Sequence, residues 1–222
     1  MAATGKPLSD VLAINRFLTY CRVRTVPSKT VMIHAGDLPD SIFYIIRGSV
    51  EVMIEDEDGN EMVLAYLNNG QFFGEMGLFH EQPARSAWVR TRVSSEIAEV
   101  TYPRFRQIAS ENPGLVFELA AQLANRLDRT NRKLGDLAFV DVTGRVAHAI
   151  MDLCNEPDAM THPDGMQIKV SRQELSRLVG CSREMAGRVL KVLEDQGLIT
   201  ATGKTIVVYN ARPKPKLKAV GL

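Results

Sequence analysis

The chain has 222 residues, of which 45% are hydrophobic and 24% charged, and its formal net charge of +1 says little about partners. This length suits one large domain or two small ones. No apolar run approaches the roughly 20 residues needed to cross a bilayer, and the N-terminus lacks the charged-then-apolar order of a signal peptide. We therefore expect a soluble cytoplasmic protein with no membrane partner.

The first half of the chain is predicted to be β-structure. Short runs at residues 41–46, 50–54 and 62–67 are rich in β-branched and aromatic residues. Asp58-Gly59 is a strong hairpin signal, and turn glycines recur every eleven or twelve residues, at Gly36, Gly48, Gly59 and Gly70. Even spacing of short strands predicts a barrel, a sandwich or a jelly roll.

Helical periodicity replaces the β pattern after Pro103. Asn112 and Pro113 are typical of a helix N-terminus. One apolar stripe then continues over roughly six turns, through Leu115, Leu119, Leu123, Leu127, Thr130, Leu134 and Leu137. Packing of this helix on its own domain is one explanation. The helix is longer than a β-domain of this size can cover, so we favour a seam with the same helix of a second copy.

The segments that follow alternate between helix, loop and strand. Asp141 is expected to start another helix, residues 155–165 are rich in turn formers and read as a loop, and residues 167–170 suggest a short strand. Residues 211–222 are basic, with two prolines and few large apolar side chains. We expect this tail to be disordered.

A winged helix-turn-helix is predicted at about residues 167–209. Ser171 and Glu174 form a capping box at the start of a short helix. A turn centred on Gly180 follows, and Ser182 can cap a second helix that ends before Gly197. Beyond it, two strand-like runs flank the tip residue Lys204, as in a hairpin wing.

The second helix of this motif has two distinct faces. Apolar residues follow helical spacing on the face towards a core, at Ala186, Val189, Leu190 and Leu193. The other face carries Arg183, Glu184, Gly187, Arg188 and Lys191. Arg can bind guanine O6 and N7 with two donors, Glu can accept from cytosine N4, and Lys191 lies where phosphate is the more plausible partner.

Each of these charged residues alone would be read as a solvated surface group. Residues 167–204 contain seven Lys or Arg against four Asp or Glu, a modest excess of +3 that can meet phosphates. The whole constellation favours binding of double-stranded DNA, and the predicted DNA-contacting set is Arg172, Gln173, Ser182, Arg183, Glu184, Arg188, Lys191 and Lys204.

The sequence suggests no catalytic or metal centre. Cys21, Cys154 and Cys181 lie far apart and form no CxxC pair, so disulfides, zinc and an iron–sulfur cluster are not expected. The four histidines show no HExxH spacing, and no nucleophile–base set is suggested. We do not expect an enzyme.

Several long motifs resemble the cyclic-AMP receptor protein (catabolite activator protein) family. FGEMGLF followed by ARSAWVR is similar to that family's phosphate-binding cassette, and LAFVDVTGRVA, EPDAMTHPDGMQIKVSRQEL, VGCSRE and GKTIVVY are similar to its hinge and DNA-binding domain. They occur in the family's order over residues 16–210. The resemblance implies an α+β fold: a jelly-roll-like β-roll (1–112), a long dimerisation helix and hinge (113–140), and a winged helix-turn-helix (141–210) before the tail (211–222).

The resemblance also implies cyclic AMP as an allosteric effector. Arg85 would pair with the single phosphodiester through two hydrogen bonds, with Ser86 and backbone N–H groups completing the cradle. Glu75 would accept from the ribose 2′-hydroxyl, and Gly74 would permit close approach. Without the resemblance, a surface pair between Arg85 and Glu75 is an equally good explanation.

Thr130 and Asn131 match the family's base-contacting pair on the long helix. Thr130 lies within the apolar stripe and could bond the adenine amino group. The family most often has Ser at the position of Asn131. Asn keeps a donor and an acceptor but is bulkier, so base selectivity and affinity depend on this position.

RNA polymerase is the second macromolecular partner that the resemblance implies. The family's polymerase-contacting loop matches Ala159, Thr161, His162, Pro163, Asp164 and Gly165. A weaker match to a basic activating patch consists of Arg22, Arg24 and Arg104. A surface turn and solvated charges are the plainer interpretations of the two.

The leading hypothesis is a homodimeric, cyclic-AMP-responsive transcription regulator that reads palindromic TGTGA-like operators. The same DNA-binding regulator responding to cyclic-di-GMP, or active without ligand, is an alternative, although Arg85 and Ser86 argue against cyclic-di-GMP. A cyclic-nucleotide-binding module that acts on a protein partner is a third possibility, and the helix-turn-helix argues against it.

Overall fold

The computed structural model describes residues 8–79 and 84–212. The predicted disordered tail therefore lies outside the described residues from position 213 onward. The helices are α1 (Leu8–Leu18), α2 (Met76–Phe79), α3 (Tyr102–Glu111), α4 (Gly114–Phe139), α5 (Val142–Leu153), α6 (Arg172–Val179) and α7 (Arg183–Asp195). None of them is long and apolar enough to span a membrane.

Twelve strands are present in the described residues. In the first half they are β1 (Arg22–Val26), β2 (Val31–Ile33), β3 (Ser41–Arg47), β4 (Ser49–Glu55), β5 (Glu61–Asn68), β6 (Phe72–Phe73), β7 (Trp88–Thr91) and β8 (Ser95–Thr101). In the second half they are β9 (Met160–His162), β10 (Gly165–Lys169), β11 (Ile199–Thr202) and β12 (Thr205–Tyr209).

The first eight strands form two four-stranded sheets, in the orders β1-β8-β3-β6 and β2-β7-β4-β5. The apolar side chains of Phe43, Val50, Leu67, Phe73 and Ile97 belong to one buried cluster that draws on both sheets. A second cluster lies between the first sheet and helices α1, α3 and α4. This arrangement of an antiparallel β-roll with helices on one side confirms the predicted α+β class and the jelly-roll-like interpretation.

The turn glycines terminate strands as predicted. All four, at positions 36, 48, 59 and 70, have positive φ. Gly48 shows why a side chain would not fit, because its Cβ would lie 2.3 Å from the hydroxyl oxygen of Ser95. That hydroxyl in turn accepts a hydrogen bond from the N–H of Ser49 at 3.2 Å, which fixes the start of β4.

The leucine stripe on α4 divides into two parts. Leu115 and Leu119 are fully buried, and Leu123 packs against the same cluster. In this part the explanation that the helix packs on its own domain is correct. Leu127 and Leu134 are 62% and 64% exposed in the single chain, which leaves the second part of the stripe apolar and uncovered.

Helices α5 to α7 and the sheet β11-β12-β10-β9 build the second half of the fold. The Asp141 side chain caps α5 by accepting from the N–H of Gly144 at 2.7 Å, as predicted for a helix start. The loop predicted at 155–165 is wrong in part, because Met160–His162 pair with β10 as an edge strand. Turn-forming neighbours on both sides hide so short a strand in the sequence.

Contacts divide the described chain into two compact units. The first contains residues 8–56 and 64–129, and the second contains residues 57–63 and 130–212. The tip of the β4–β5 hairpin therefore belongs to the second unit. The predicted domain limits near residues 112 and 140 stay a prediction.

Candidate functional site

A glycine turn leads from β6 into the predicted phosphate-binding segment. Gly74 follows the strand with φ +74°, and the short helix α2 begins two residues later. A Cβ at Gly74 would lie 2.9 Å from Nη1 of Arg85 and 3.1 Å from the side chains of Ile33 and Phe43. The absence of a side chain is thus what lets the Arg85 guanidinium lie against the backbone.

The Arg85 guanidinium is held by neutral acceptors. Nη1 donates to the carbonyl oxygen of Gly74 at 2.8 Å and to the hydroxyl of Tyr102 at 2.9 Å, and Nη2 donates to the carbonyl oxygen of Ser41 at 2.9 Å. The side chain is only 8% exposed. Asp40 is the carboxylate nearest to it among the described ion pairs, at 3.8 Å, and is itself 81% exposed.

Glu75 pairs with a different arginine, Arg126 of α4, which is absent from the predicted ligand set. Its side chain is 8% exposed, and Oε1 accepts from Nη1 of Arg126 at 3.0 Å. Nη2 of Arg126 also donates to the carbonyl oxygen of Phe72. The surface pair between Arg85 and Glu75 is therefore wrong as an explanation, since Glu75 is buried and its partner lies on α4.

A signal for Arg126 does exist in the sequence. Residues 122 and 126 follow Leu119 by three and seven positions, which places them on the buried face of the helix. Polar residues at such positions need partners. The leucine stripe alone does not indicate these two polar residues.

The remaining predicted ligand residues are exposed. The Ser86 hydroxyl donates to the sulfur of Met76 at 3.3 Å. Thr130 and Asn131 are exposed on α4 and make no side-chain hydrogen bond to the residues that the structure describes. Their assignment to a nucleotide base stays a prediction.

Serine caps shape the helix-turn-helix as predicted. The Ser171 hydroxyl accepts from the N–H of Glu174 at 3.1 Å and starts α6, and the Ser182 hydroxyl accepts from the N–H of Met185 at 3.1 Å and starts α7. Between them Gly180 adopts the left-handed conformation at φ +70°. These local signals fix where the second helix begins and which of its faces is buried.

The two faces of α7 are as the sequence predicts. Ala186, Val189, Leu190 and Leu193 are buried, whereas Arg183, Glu184, Arg188 and Lys191 are exposed. The exposed side chains line a shallow depression together with Arg172, Gly187 and Glu194. The first two turns of the helix therefore present donors and an acceptor to the outside, the arrangement required for reading base edges.

Gly187 lies beside Arg172 of α6. A Cβ there would lie 3.5 Å from Cδ of Arg172, an ordinary van der Waals distance, so the aliphatic part of that side chain passes over the glycine. Gln173, the neighbouring predicted contact, is exposed on the same helix.

The wing is a two-stranded hairpin with Lys204 exposed at its tip. The carbonyl oxygen of Lys204 accepts from the N–H of Val170 at 2.8 Å. A second link joins the wing to α7, since Oε1 of Glu194 accepts from the N–H of Ala201 at 3.0 Å. The backbone of the wing is thus tied to α7 and to the residue that precedes the N-cap of α6.

The predicted polymerase-contacting loop is a tight surface turn. Thr161, Pro163 and Asp164 are exposed, while Ala159 and His162 are half-buried. Gly165 is the position that shapes it: φ is +154°, and a Cβ would lie 2.0 Å from the carbonyl oxygen of Val208.

The three arginines of the predicted basic patch are not equally available. Arg22 and Arg24 are exposed on β1, but Arg24 is paired with Glu99 at 3.5 Å. The Arg104 guanidinium stacks 4.6 Å from the ring centroid of Tyr20, and Nη1 donates to Gln107 at 2.6 Å. Partners on the surface thus engage two of the three cations.

No group of three or more His, Cys, Asp or Glu side chains that could hold a metal ion is found within residues 8–79 and 84–212.

A β-roll followed by a long helix and a winged helix-turn-helix defines the class of protein: a DNA-binding regulator with a sensory domain.

Comparison with known proteins identifies the family. Residues 23–112 match the cyclic nucleotide-binding domain and residues 144–212 match the Crp-like helix-turn-helix domain. The chain is 54% identical over 208 residues to the cAMP-activated global transcriptional regulator CRP of Escherichia coli O157:H7, covering 94% of this chain and 99% of that protein. It is 54% identical over 202 residues to the cAMP-activated global transcriptional regulator Vfr of Pseudomonas aeruginosa, with 90% and 94% covered.

A solved structure agrees with these relatives. The c-di-GMP responsive global regulator CLP of Xanthomonas campestris matches with a TM-score of 0.85 at 46% identity, covering 90% of this chain and 99% of that one. The chain belongs to the cyclic-AMP receptor protein family of transcription regulators. It is a regulator that binds DNA, and not an enzyme.

Proposed function

We propose that the chain is a homodimeric transcription regulator that cyclic AMP switches into a form able to bind palindromic TGTGA-like operators and to contact RNA polymerase. The observation that carries the proposal is the buried Arg85 guanidinium beside the Gly74 turn. It is a preorganised cation with no carboxylate in hydrogen-bonding contact among the described residues. Such a group suits an anion that arrives from solution.

The hydrogen-bonding capacity of Arg85 supports a phosphodiester. A guanidinium has five N–H donors. Two on Nη1 and one on Nη2 are engaged by Gly74, Tyr102 and Ser41. The two others, one on Nη2 and one on Nε, have no acceptor among the described residues, and two donors are what an Arg–phosphate pair uses.

Neighbouring groups supply the remaining contacts in this proposal. The exposed Ser86 hydroxyl turns its single donor from the sulfur of Met76 to the phosphate. Glu75 is held in place by Arg126, and its carboxylate is acceptor-only when ionised, which suits a ribose 2′-hydroxyl. Thr130 and Asn131 on α4 read the base, and the bulk of Asn131 sets the selectivity among purines.

A second ligand is supported by one specific observation. The solved relative at 46% identity is described as c-di-GMP responsive, whereas the sequence relatives at 54% identity are described as cAMP-activated. A single Arg85 cradle matches one phosphodiester, and cyclic-di-GMP has two. Calorimetric titration with cyclic AMP, cyclic GMP and cyclic-di-GMP, followed by DNA binding with each, separates the two ligands and a ligand-independent regulator.

The homodimer is supported by α4 and by the DNA-binding motif. Leu127, Leu134 and Leu137 expose an apolar stripe on one helix, and a matching stripe on a second copy would cover it. One recognition helix reads only half of a palindromic site. Light scattering should give twice the chain mass, and a strict monomer with cyclic AMP present would contradict the dimer.

Operator reading is assigned to the exposed start of α7. Arg183 and Arg188 bind guanines, Glu184 accepts from a cytosine, and Lys191 and Lys204 bind phosphates. Arg183→Ala is expected to cost roughly 1–3 kcal/mol and to relax the preference at one base pair, whereas Lys204→Ala weakens binding at all sequences alike. If Arg183→Ala instead lowers the DNA-binding affinity equally for all sequences, Arg183 contacts a phosphate and not a base.

RNA polymerase contact is assigned chiefly to the turn at residues 159–165. Its exposed Thr161 and Asp164 are presented by a backbone that Gly165 fixes. The patch of Arg22, Arg24 and Arg104 is a weaker candidate because Glu99 and Tyr20 engage two of its cations. Transcription in vitro with Thr161→Ala should fall while operator binding is unchanged, and equal transcription would contradict the contact.

Ligand binding itself is tested by Arg85→Leu. Calorimetry with cyclic AMP should show strongly weakened binding, because the phosphate loses its cation. Arg47→Leu on the exposed end of β3 is the matched control and should bind normally. Equal cyclic AMP affinities in the two variants would contradict the role of Arg85 in binding the phosphate.

A protein that binds cyclic AMP but no DNA would favour the alternative function, a module acting on a protein partner.

A further inference from the structure

The strand β6 lies at the edge of its sheet, next to β3 only. In the register of this pair Phe72 faces Tyr44 and Phe73 faces Phe43. The N–H and the carbonyl group of Phe72 point away from β3 to the open side. Unpaired backbone groups on a buried edge are costly, so something must satisfy them.

Two side chains of α4 satisfy this edge. Oε1 of Gln122 accepts from the N–H of Phe72 at 2.9 Å, and Nε2 donates to the carbonyl oxygen of Gly70 at 2.9 Å. Arg126, one turn further along, donates to the carbonyl oxygen of Phe72. The amide of Gln122 thus makes the two hydrogen bonds that one residue of a parallel neighbouring strand would make.

Both N–H donors of the Gln122 amide are engaged. Its second N–H donates to Oε1 of Glu118 at 2.9 Å, and the residue is 8% exposed. A buried amide with every donor engaged and its oxygen bonded is fixed in one orientation. This orientation in turn fixes the position of Phe72 along the axis of α4.

We propose that Gln122 is a positioning residue that joins helix α4 to the nucleotide-binding segment by taking the place of a strand at the open edge of β6. The segment begins directly after this strand, with Gly74 under the Arg85 guanidinium and Glu75 on Arg126. A shift of α4 along its axis therefore moves the phosphate cradle with it. The inference rests on the proposed cyclic-nucleotide function and names the contact through which α4 senses the ligand.

The same helix continues to Thr130 and Asn131, about two turns beyond Gln122. Its exposed leucines lie on that later part as well. A ligand that tightens the segment after β6 acts on α4 through Gln122 and Arg126. Arg126 bonds directly to the proposed ligand contact Glu75. The hydrogen bonds of the Gln122 side chain within the described part of the chain go to the backbone of Phe72 and Gly70 and to Glu118, so it can be varied separately.

The experiment compares Gln122→Met with Leu123→Ala in the full-length chain. Met keeps the length of the side chain but leaves the N–H of Phe72 and the carbonyl of Gly70 without partners. Leu123→Ala weakens the packing of α4 on its apolar cluster and leaves the edge of β6 intact. Calorimetry with cyclic AMP and hydrogen exchange of peptides covering residues 68–76 are measured for both.

We expect Gln122→Met to bind cyclic AMP about tenfold more weakly, the value of one hydrogen bond, and to exchange the Phe72 amide at least tenfold faster. Leu123→Ala should lower thermal stability by a similar amount to Gln122→Met. It should nevertheless change the cyclic AMP affinity and the exchange rate of the Phe72 amide less than twofold.

Equal affinity and equal exchange in Gln122→Met and Leu123→Ala would overturn the proposal and leave Gln122 a packing residue. Absence of cyclic AMP binding in the unmodified protein would overturn the proposed function instead. The exchange comparison would then still decide whether Gln122 holds the segment, because it needs no ligand.

Discussion

The Tyr102 hydroxyl accepts a hydrogen bond from Nη1 of Arg85 at 2.9 Å and donates one to the carbonyl oxygen of Gly74 at 2.6 Å. It thereby links the cation of the proposed phosphate cradle to the glycine turn beside it. Burial raises the pKa of Tyr102, and the Arg85 cation only partly offsets this. The phenol therefore keeps its proton, and its role as a donor to Gly74, across the neutral range.

Tyr102→Phe should weaken cyclic AMP binding by roughly three- to tenfold, about the value of one ordinary hydrogen bond. The ring stays in the core, so thermal stability should change little. Because the pKa of the phenol is raised, the difference between the two proteins should be flat from pH 6 to about pH 9. Calorimetry at three pH values measures it.

Tyr20→Phe is the matched control for this substitution. Its ring lies under Arg104, away from Arg85, and the variant should bind as the unmodified protein does. A loss of affinity in Tyr102→Phe that disappears at high pH would show that the phenol ionises, contrary to the effect of its burial.

The sequence predicted those features that local chemistry determines. The turn glycines, the caps at Ser171 and Ser182, and the buried face of α7 each follow from residue type and spacing within a few positions. Tyr102, Arg126 and Gln122 were not predicted, because their partners lie 28, 51 and 50 residues away in the chain. The resemblance to the family predicts Arg85 as the phosphate-binding residue, but only the structure shows which groups hydrogen-bond to its guanidinium.

Gly165→Ala should destabilise the second unit by about 2–4 kcal/mol, the range of a severe backbone conflict. The new methyl group would lie 2.0 Å from the carbonyl oxygen of Val208, and φ of +154° is strained for alanine. The pairing of β10 with β12 would have to open. Urea unfolding followed by circular dichroism measures the change.

Gly203→Ala at the wing tip serves as the comparison for Gly165. Its φ is +64°, but no heavy atom lies within 4 Å of the new Cβ. The cost should be only about 1 kcal/mol, that of the left-handed conformation. Similar decreases in the free energy of unfolding for Gly165→Ala and Gly203→Ala would show that the pairing of β10 with β12 adjusts to the new methyl group without losing stability.

Thiol reactivity should follow burial. Burial raises the pKa of Cys21 to about 12 and that of Cys154 to about 11, and it also raises the pKa of Cys181, where Arg145 partly offsets it. At pH 8 iodoacetamide should therefore modify Cys181 first, and the other two only slowly. Peptide mass spectrometry after timed labelling measures the order.

The same thiols make stability fall at high pH. In the unfolded chain the pKa of cysteine is about 9.0, whereas the folded chain holds Cys21 and Cys154 protonated to higher pH. Their contribution is complete below pH 9 and is lost as the pH rises towards 11 and 12. Labelling of Cys154 as fast as Cys181 in the native protein would contradict this assignment.

An ion pair within the second unit holds the tip of the β4–β5 hairpin to the first helix of the DNA-binding motif. Nε of Arg177 lies 2.8 Å from Oε2 of Glu61, with side chains 15% and 30% exposed. The side chain of the neighbouring Met62 lies close to the Gly180 turn, since a Cβ at Gly180 would be 3.7 Å from Cε of Met62. Because both charges are largely shielded from water, the pair should be worth more than an exposed one.

A double-mutant cycle with Glu61→Gln and Arg177→Met should give a coupling free energy of about 1–2 kcal/mol in urea unfolding. The cycle for Arg16 and Glu111, which lie 3.1 Å apart but are 56% and 49% exposed, should give less than about 0.5 kcal/mol. Raising the salt concentration should reduce the second value more than the first, since solvent ions screen exposed charges. Additive effects of Glu61→Gln and Arg177→Met would contradict a stabilising role for this ion pair.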